Sequence, residues 1–187
     1  MADHPMHHSP THLGGKLLLA DPSLRGSLFQ RSVILIHDHQ PKEGAMGLIL
    51  NQPTGKQVGD FLKSAEFETI SQLPVHVGGP VDGNQLTFSS FWWTPKRGLR
   101  WANRLSPEQA AEHGRRPGRI LRSFIGYSGW GSGQLEDELE QKSWLPVAPK
   151  SQLLGQSHDP GLWATLLGEI SPLHRLMAMA PENLDLN

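Results

Sequence analysis

A chain of 187 residues, 37% of them hydrophobic, is sized for a single core. Its 17 Lys and Arg against 18 Asp and Glu give a formal net charge of −1, without the basic excess of a dedicated nucleic-acid reader. The absence of cysteine excludes disulfides, thiolate chemistry and cysteine-based zinc sites, and agrees with a reducing compartment. No apolar run reaches the ~18 residues of a membrane span, and the N-terminal stretch lacks the apolar centre of a secretory signal, so a cytoplasmic protein with no membrane contact is expected.

In chain order, His4, His7, His8 and His12 with Pro5 and Pro10 make residues 1–14 a biased, aperiodic tail. It is expected to be disordered and to lack the fixed second shell that a metal site needs. The folded domain is expected over 15–187. Residues 16–20 read as a short apolar strand. Residues 31–37, with Val33, Ile34, Leu35 and Ile36 in succession, read as a strand buried on both faces. Residues 44–51 read as its hairpin partner, stopped by Asn51-Gln52-Pro53 because proline cannot donate to a ladder. A short helix over 58–64 follows, then a strand over 75–77 running into Gly78-Gly79-Pro80, and a strand over 85–91.

Between Lys96 and Arg122 lie eight basic residues, Lys96, Arg97, Arg100, Arg104, Arg115, Arg116, Arg119 and Arg122, and two acids, a net +6 that leaves the remainder at −7. A solvated, paired surface is the ordinary meaning of such a run; nucleic-acid binding is the alternative. Within it, Ser106-Pro107-Glu108-Gln109 carries an N-cap serine, a proline at the first helical position and the glutamine of a capping box. Residues 119–127 read as a strand entering Gly126-Tyr127-Ser128-Gly129-Trp130-Gly131-Ser132-Gly133-Gln134, after which Leu135 and Leu139 mark a helix face. Asp159-Pro160 opens a helix with Trp163 in the core, Ser171-Pro172 is read as its stop, and a strand is expected over 173–180.

The candidate binding residues are Arg31, His39, Asn51, Gly78, Gly79, Gly131, Gly133 and Gln134. Arginine is the usual residue for bidentate capture of carboxylate or phosphate. Glycine loops admit a ligand to the backbone, and the first N–H groups of a helix attract anions. Against an anion stand Glu136, Asp137 and Glu138, which already complement the helix dipole. The ordinary alternative is that the glycines serve turn geometry while Tyr127 and Trp130 pack a corner of the core. His37 and His39 project to one side of a regular strand, a spacing compatible with two metal ligands. Ser32 and Ser128 lack a nucleophile-elbow context. No catalytic set, metal set or cofactor fingerprint is legible, and no cofactor is expected. The leading expectation is a non-catalytic binding or regulatory module for a small molecule or a protein partner. A hydrolase or transferase using His39 and a nearby acid is the alternative.

Several separated motifs resemble the YqgE/AlgH family of bacterial proteins. They are Gly15-Lys16-Leu17-Leu18-Leu19-Ala20 with Pro22 and Leu24, Phe29-Gln30-Arg31-Ser32-Val33, His39 before Gly44-Ala45-Met46-Gly47-Leu48, and Asn51-Gln52-Pro53. Gly78-Gly79-Pro80-Val81, the run from Gly126 to Glu136, Trp144-Leu145 and Leu162-Trp163 follow in the same order. Gly26 and Ser27 stand where many relatives carry an aspartate and a proline. The resemblance implies an α+β fold, a single domain of coiled, branched, mostly antiparallel sheets with a few peripheral helices. It implies no established enzyme, and carries a proposed link to transcriptional control of exopolysaccharide genes.

Overall fold

The computed structural model describes residues 12–180, and the elements are those of the described residues; the expectations for His4, His7 and His8 and for 181–187 lie outside them. Nine strands are β1 (Leu17–Ala20), β2 (Val33–Gln40), β3 (Gly44–Ile49), β4 (Pro53–Gln57), β5 (Pro74–Val77), β6 (Val81–Thr94), β7 (Gly98–Leu105), β8 (Ile120–Trp130) and β9 (Trp144–Val147). Four α-helices are α1 (Pro107–Gly114), α2 (Gln134–Glu140), α3 (Gly161–Gly168) and α4 (Pro172–Ala178). The sheet runs β4-β5-β8-β3-β2-β1-β9, with β6 branching from β8 and β7 from β6. Among the described residues, only the β5–β8 pair is parallel. The fold is α+β, with branched and mostly antiparallel sheets.

The consecutive apolar residues of β1 and β2 alternate between two cores. Leu17, Leu19, Val33 and Leu35 pack with Leu162, Trp163 and Leu167 of α3. Leu18, Ala20, Ile34 and Ile36 pack with Trp130, Leu135 and Trp144 on the opposite face. Strands covered on both sides need no polar alternation, which is why they read as continuous apolar runs. Leu13, which composition places in the tail, is 5% exposed and packs with the second of these cores.

β8 organises the branching. Residues 120–125 pair with β6 and residues 123–125 with β5; residues 128–130 pair instead with β3. The exchange of neighbours happens at Gly126, with φ 70, where Gly78 and Gly79 at the end of β5 cross it. A Cβ on Gly78 would overlap the Gly126 carbonyl, one on Gly79 the Tyr127 backbone, and one on Gly126 the Gly79 carbonyl. Gly78 N–H donates to Ile125 O, while Gly78 O accepts from Ile49 N and Ser128 Oγ. These glycines therefore allow backbone to cross backbone; the turn proper is confined to residues 131–133, and β8 runs through Gly126 and Gly129 to Trp130.

Four differences from the sequence reading are local. The strand expected over 173–180 is α4: Ser171 Oγ accepts from His174 N at its N-cap and Pro172 occupies the first turn, so Ser171-Pro172 starts a helix. β4 begins at Pro53 because an edge strand tolerates a residue without an N–H. β7 hides in the basic segment, where Leu99 is buried and Trp101 half-buried while Arg100 and Arg104 are exposed. Residues 58–64 contain only a short 3-10 turn, Val58–Asp60.

Gly79→Ala is expected to lower the unfolding free energy by more than about 3 kcal/mol, since the backbone must separate to admit the methyl group. Gly55→Ala, also at positive φ (77) but with open space around it, is expected to cost about 1 kcal/mol. Urea unfolding of the two variants measures the contrast.

Candidate functional site

The sequence-predicted residues fall into three places. Asn51, 2% exposed, accepts Val33 N–H through Oδ1 at 2.8 Å and donates from Nδ2 to Arg31 O at 2.9 Å. It thereby holds Arg31 at φ 54, and the Arg31 guanidinium lies 5.2 Å from the Trp163 ring centroid and donates to Ala180 O. His39 and Gln134 sit by α2. Gln134 Oε1 accepts Gly131 N–H at 3.0 Å, and its amide donates to Glu138. Glu138 Oε2 in turn accepts both indole N–H groups, Trp130 at 2.8 Å and Trp144 at 2.7 Å. Gly133, φ 74, is the N-cap of α2. Gly78 and Gly79 form the crossing described above.

His39 does meet an acid. Its Nε2 lies 2.8 Å from Glu136 Oε1, while Nδ1 accepts Leu13 N–H at 3.1 Å, which assigns the ring proton to Nε2. With both nitrogens engaged and 2% exposure, the imidazole offers no lone pair to a substrate. His37 and His39 do not share a face. Ile36 pairs with Gly47 and Asp38 with Met46, so His37 is an inserted bulge residue and His39 turns to the Ile36 side. Among the described residues no group of three or more His, Cys, Asp or Glu is arranged to hold a metal.

The bulge at His37 is one of four register shifts in the ladders. A second lies in β6, where residues 82–85 stand against Gly126 alone. A third lies in β7, where Asn103 and Arg104 oppose Ser89. All three deliver side chains to one cavity of about 430 Å³, lined by His37, Asp82, Gln85, Ser89, Asn103, Arg104, Gly126 and Tyr127, with Met46, Leu48, Leu86 and Leu105 as apolar wall and Ser106, Pro107 and Gln109 from the start of α1. Asp82 and Arg104 both have positive φ, 52 and 54, a conformation costing an L-residue about 1–2 kcal/mol. The two other non-glycine residues of this kind have local explanations: Asn51 clamps Arg31, and Lys142 closes α2, with Ser143 N–H donating to Glu138 O. The Arg104 guanidinium lies 5.8 Å from the Tyr127 ring centroid. Asn103 Oδ1 is buried without a hydrogen-bond partner among the described residues. Burial pushes the His37 pKa down to about 4, and Arg104 adds to the depression against the opposing pull of Asp38; the imidazole is neutral at pH 7.

A larger groove of about 600 Å³ runs between β9 and α3. Its charged residues, Lys150 and Glu169, satisfy each other at 2.8 Å, and it has no comparable set of bulged residues. The basic segment is dispersed. Lys96, Arg97, Arg100, Arg115 and Arg116 are exposed, and Arg104 faces the cavity. Arg119 stacks on Trp92 at 3.9 Å, with Trp93 against the core. Arg122 lies half-buried near His76 and His158.

A match to the AlgH-like family spans residues 17–173. The chain belongs to the AlgH-like family. Among curated relatives, a UPF0301 protein of Bacteroides fragilis is 30% identical over 92% of this chain and 90% of its own length, and one of Chlorobium limicola is 32% identical over 92% and 95%. Two solved structures share the fold. A protein of Corynebacterium diphtheriae superposes with TM-score 0.68 at 19% identity, covering 94% and 95% of the chains. The AlgH protein of Pseudomonas aeruginosa superposes with TM-score 0.67 at 22% identity, covering 97% and 99%. The AlgH-like fold thus carries the bulged cavity in this chain beside a buried polar cluster, in which His76 donates to His158 O (3.1 Å) and His158 to Leu153 O (3.2 Å). The sequence reading places His37 with His39 in a spacing merely compatible with metal ligands, and Arg104 in a basic surface segment. It had no signal for Asp82 or Asn103, since a bulge leaves no mark in a period of two.

Desolvation holds His37 and His158 near pKa 4 and lowers His76, with Arg122 repelling a proton from the latter pair. The unfolded chain takes up these protons at about pH 6.5. The stability is therefore complete above pH 6.5 and is lost as the pH falls towards 4. Urea unfolding is expected to show a loss of up to roughly 3 kcal/mol for each of His37 and His158 across that window, His76 contributes in the same direction, and His37→Gln should flatten the slope.

Proposed function

We propose that this AlgH-like protein is a non-catalytic, cytoplasmic binding module that holds a small molecule in the bulged cavity and acts as a regulator. Three independent irregularities of β2, β6 and β7 aim polar side chains into the same space, and that observation carries the reading. Bulges are designed features that re-aim side chains, and strained residues persist where the surroundings enforce them for a task. The volume lies within the usual range for small-ligand sites, and an apolar wall with a few convergent polar groups is their usual composition. A non-catalytic role is supported by the engagement of His39 on both nitrogens. The roles of Arg31, Asn51 and Gln134 are then structural, holding a turn and the Trp130–Trp144 corner. A contribution to transcriptional control, implied by the resemblance, would pass through a protein partner that senses the filled cavity rather than through a basic face.

A metabolite library screened by amide NMR tests this. Compounds that bind are expected to shift Asp82, Arg104, Gly126 and Tyr127 together and to be recovered unchanged, and Arg104→Gln is expected to weaken binding of an anionic compound about tenfold. Turnover of any compound, or binding that maps only to the groove beside β9, would falsify the reading.

A further inference from the structure

Asp82 and Arg104 face the same cavity with opposite charges, and among the described residues neither forms an ion pair. Each is held at positive φ by a bulge, so the strained backbone presents both charges to the cavity without bringing them together. Beside them stands the buried, unpartnered Asn103 Oδ1, an acceptor only. Met46, Leu48 and Leu86 supply an apolar wall.

We propose that the cavity binds a free α-amino acid with an apolar side chain, its carboxylate on Arg104, its ammonium between Asp82 and Asn103 Oδ1, and its side chain against Met46, Leu48 and Leu86. The assignment rests on reading the cavity as a ligand site. A guanidinium matches a planar carboxylate in bidentate geometry, and a carboxylate with an amide oxygen accepts the protons of an ammonium group. A phosphate or dicarboxylate would place excess negative charge against Asp82, and a polyamine would place positive charge against Arg104. The uncharged His37 keeps the cavity balanced, with one cation and one anion. A zwitterion is the ligand class that satisfies both charges at once and leaves neither desolvated without a partner.

The test is amide NMR titration of the full chain with L-leucine, isocaproate, which lacks the ammonium, and leucinamide, which lacks the carboxylate. Leucine is expected to shift Asp82, Arg104 and Tyr127 saturably, and each analogue to bind about tenfold or more weakly. Asp82→Asn, whose asparagine tolerates positive φ, should weaken leucine about tenfold and leave isocaproate unchanged; Arg104→Gln should weaken leucine and leave leucinamide unchanged. The dispersed spectrum of each variant verifies its fold. Equal affinity for the three compounds, or leucine shifts elsewhere, overturns the proposal. If another metabolite class shifts these residues and leucine does not, the amino-acid assignment fails while the ligand site stands. If no compound shifts them, both fail.

Discussion

The crossing of Gly78 and Gly79 over Gly126 is the constraint from which the rest of the architecture follows. Two backbones in contact leave no room for Cβ atoms on either side, and the positive φ of Gly126 turns β8 away from β5 and towards β3. The kink also has a cost on the other edge of β8. Between Val81 opposite Tyr127 and Leu86 opposite Ile125, β6 must leave the ladder for four residues to pass one. That detachment opens the cavity wall that carries Asp82. The branch point and the candidate site are one feature seen from two sides, which explains why Gly126 and Tyr127 line the cavity.

The polar residues divide by whether their hydrogen-bonding capacity is spent. Asn51 and His39 join segments distant in sequence, Gln134 and Glu138 tie α2 to the neighbouring ends of β8 and β9, and each has its principal atoms engaged within the chain. Net stabilisation from such bonds is about 1 kcal/mol apiece, whereas leaving a buried partner unpaired costs up to about 3. The fold itself accounts for these contacts. Asn103 Oδ1, Asp82 and Arg104 have capacity left over, and all three lie at irregular backbone. Asn103 Oδ1 has no partner within the described chain, while Arg104 meets the Tyr127 ring and the Met46 sulfur; on the proposed reading a ligand takes up the remaining capacity.

Much of the fold was legible because its signals are local. Val33 to Ile36 announce a doubly covered strand, and Ser106 with Pro107 and Gln109 announces α1 through a capping box that the structure contains in full. The same Ser-Pro signal at Ser171 reads as an end rather than a beginning, because it directly follows the apolar stripe of α3. β7 is obscured in another way: the charges of its segment outnumber its short alternation of Leu99 and Trp101 with Arg100. The glycine-rich run reads as a turn, whereas Gly126 permits a strand crossing and β8 continues through it to Trp130.

The site was less legible than the fold because a bulge is a relation between two strands. His37 looks like the regular neighbour of His39 until Gly47 and Met46 are seen to pair with Ile36 and Asp38. Likewise Arg104 belongs to a surface series by sequence, and only the pairing of Ser90 with Ala102 and Phe88 with Leu105 turns Asn103 and Arg104 out of register. Sequence patterns report which residues a strand buries; register decides which of them it spares from burial and pairing. On the proposed reading, recognition is assembled from residues excluded by the ladders. Its chemistry is therefore set by the three places where β2, β6 and β7 each carry more residues than their partners can pair.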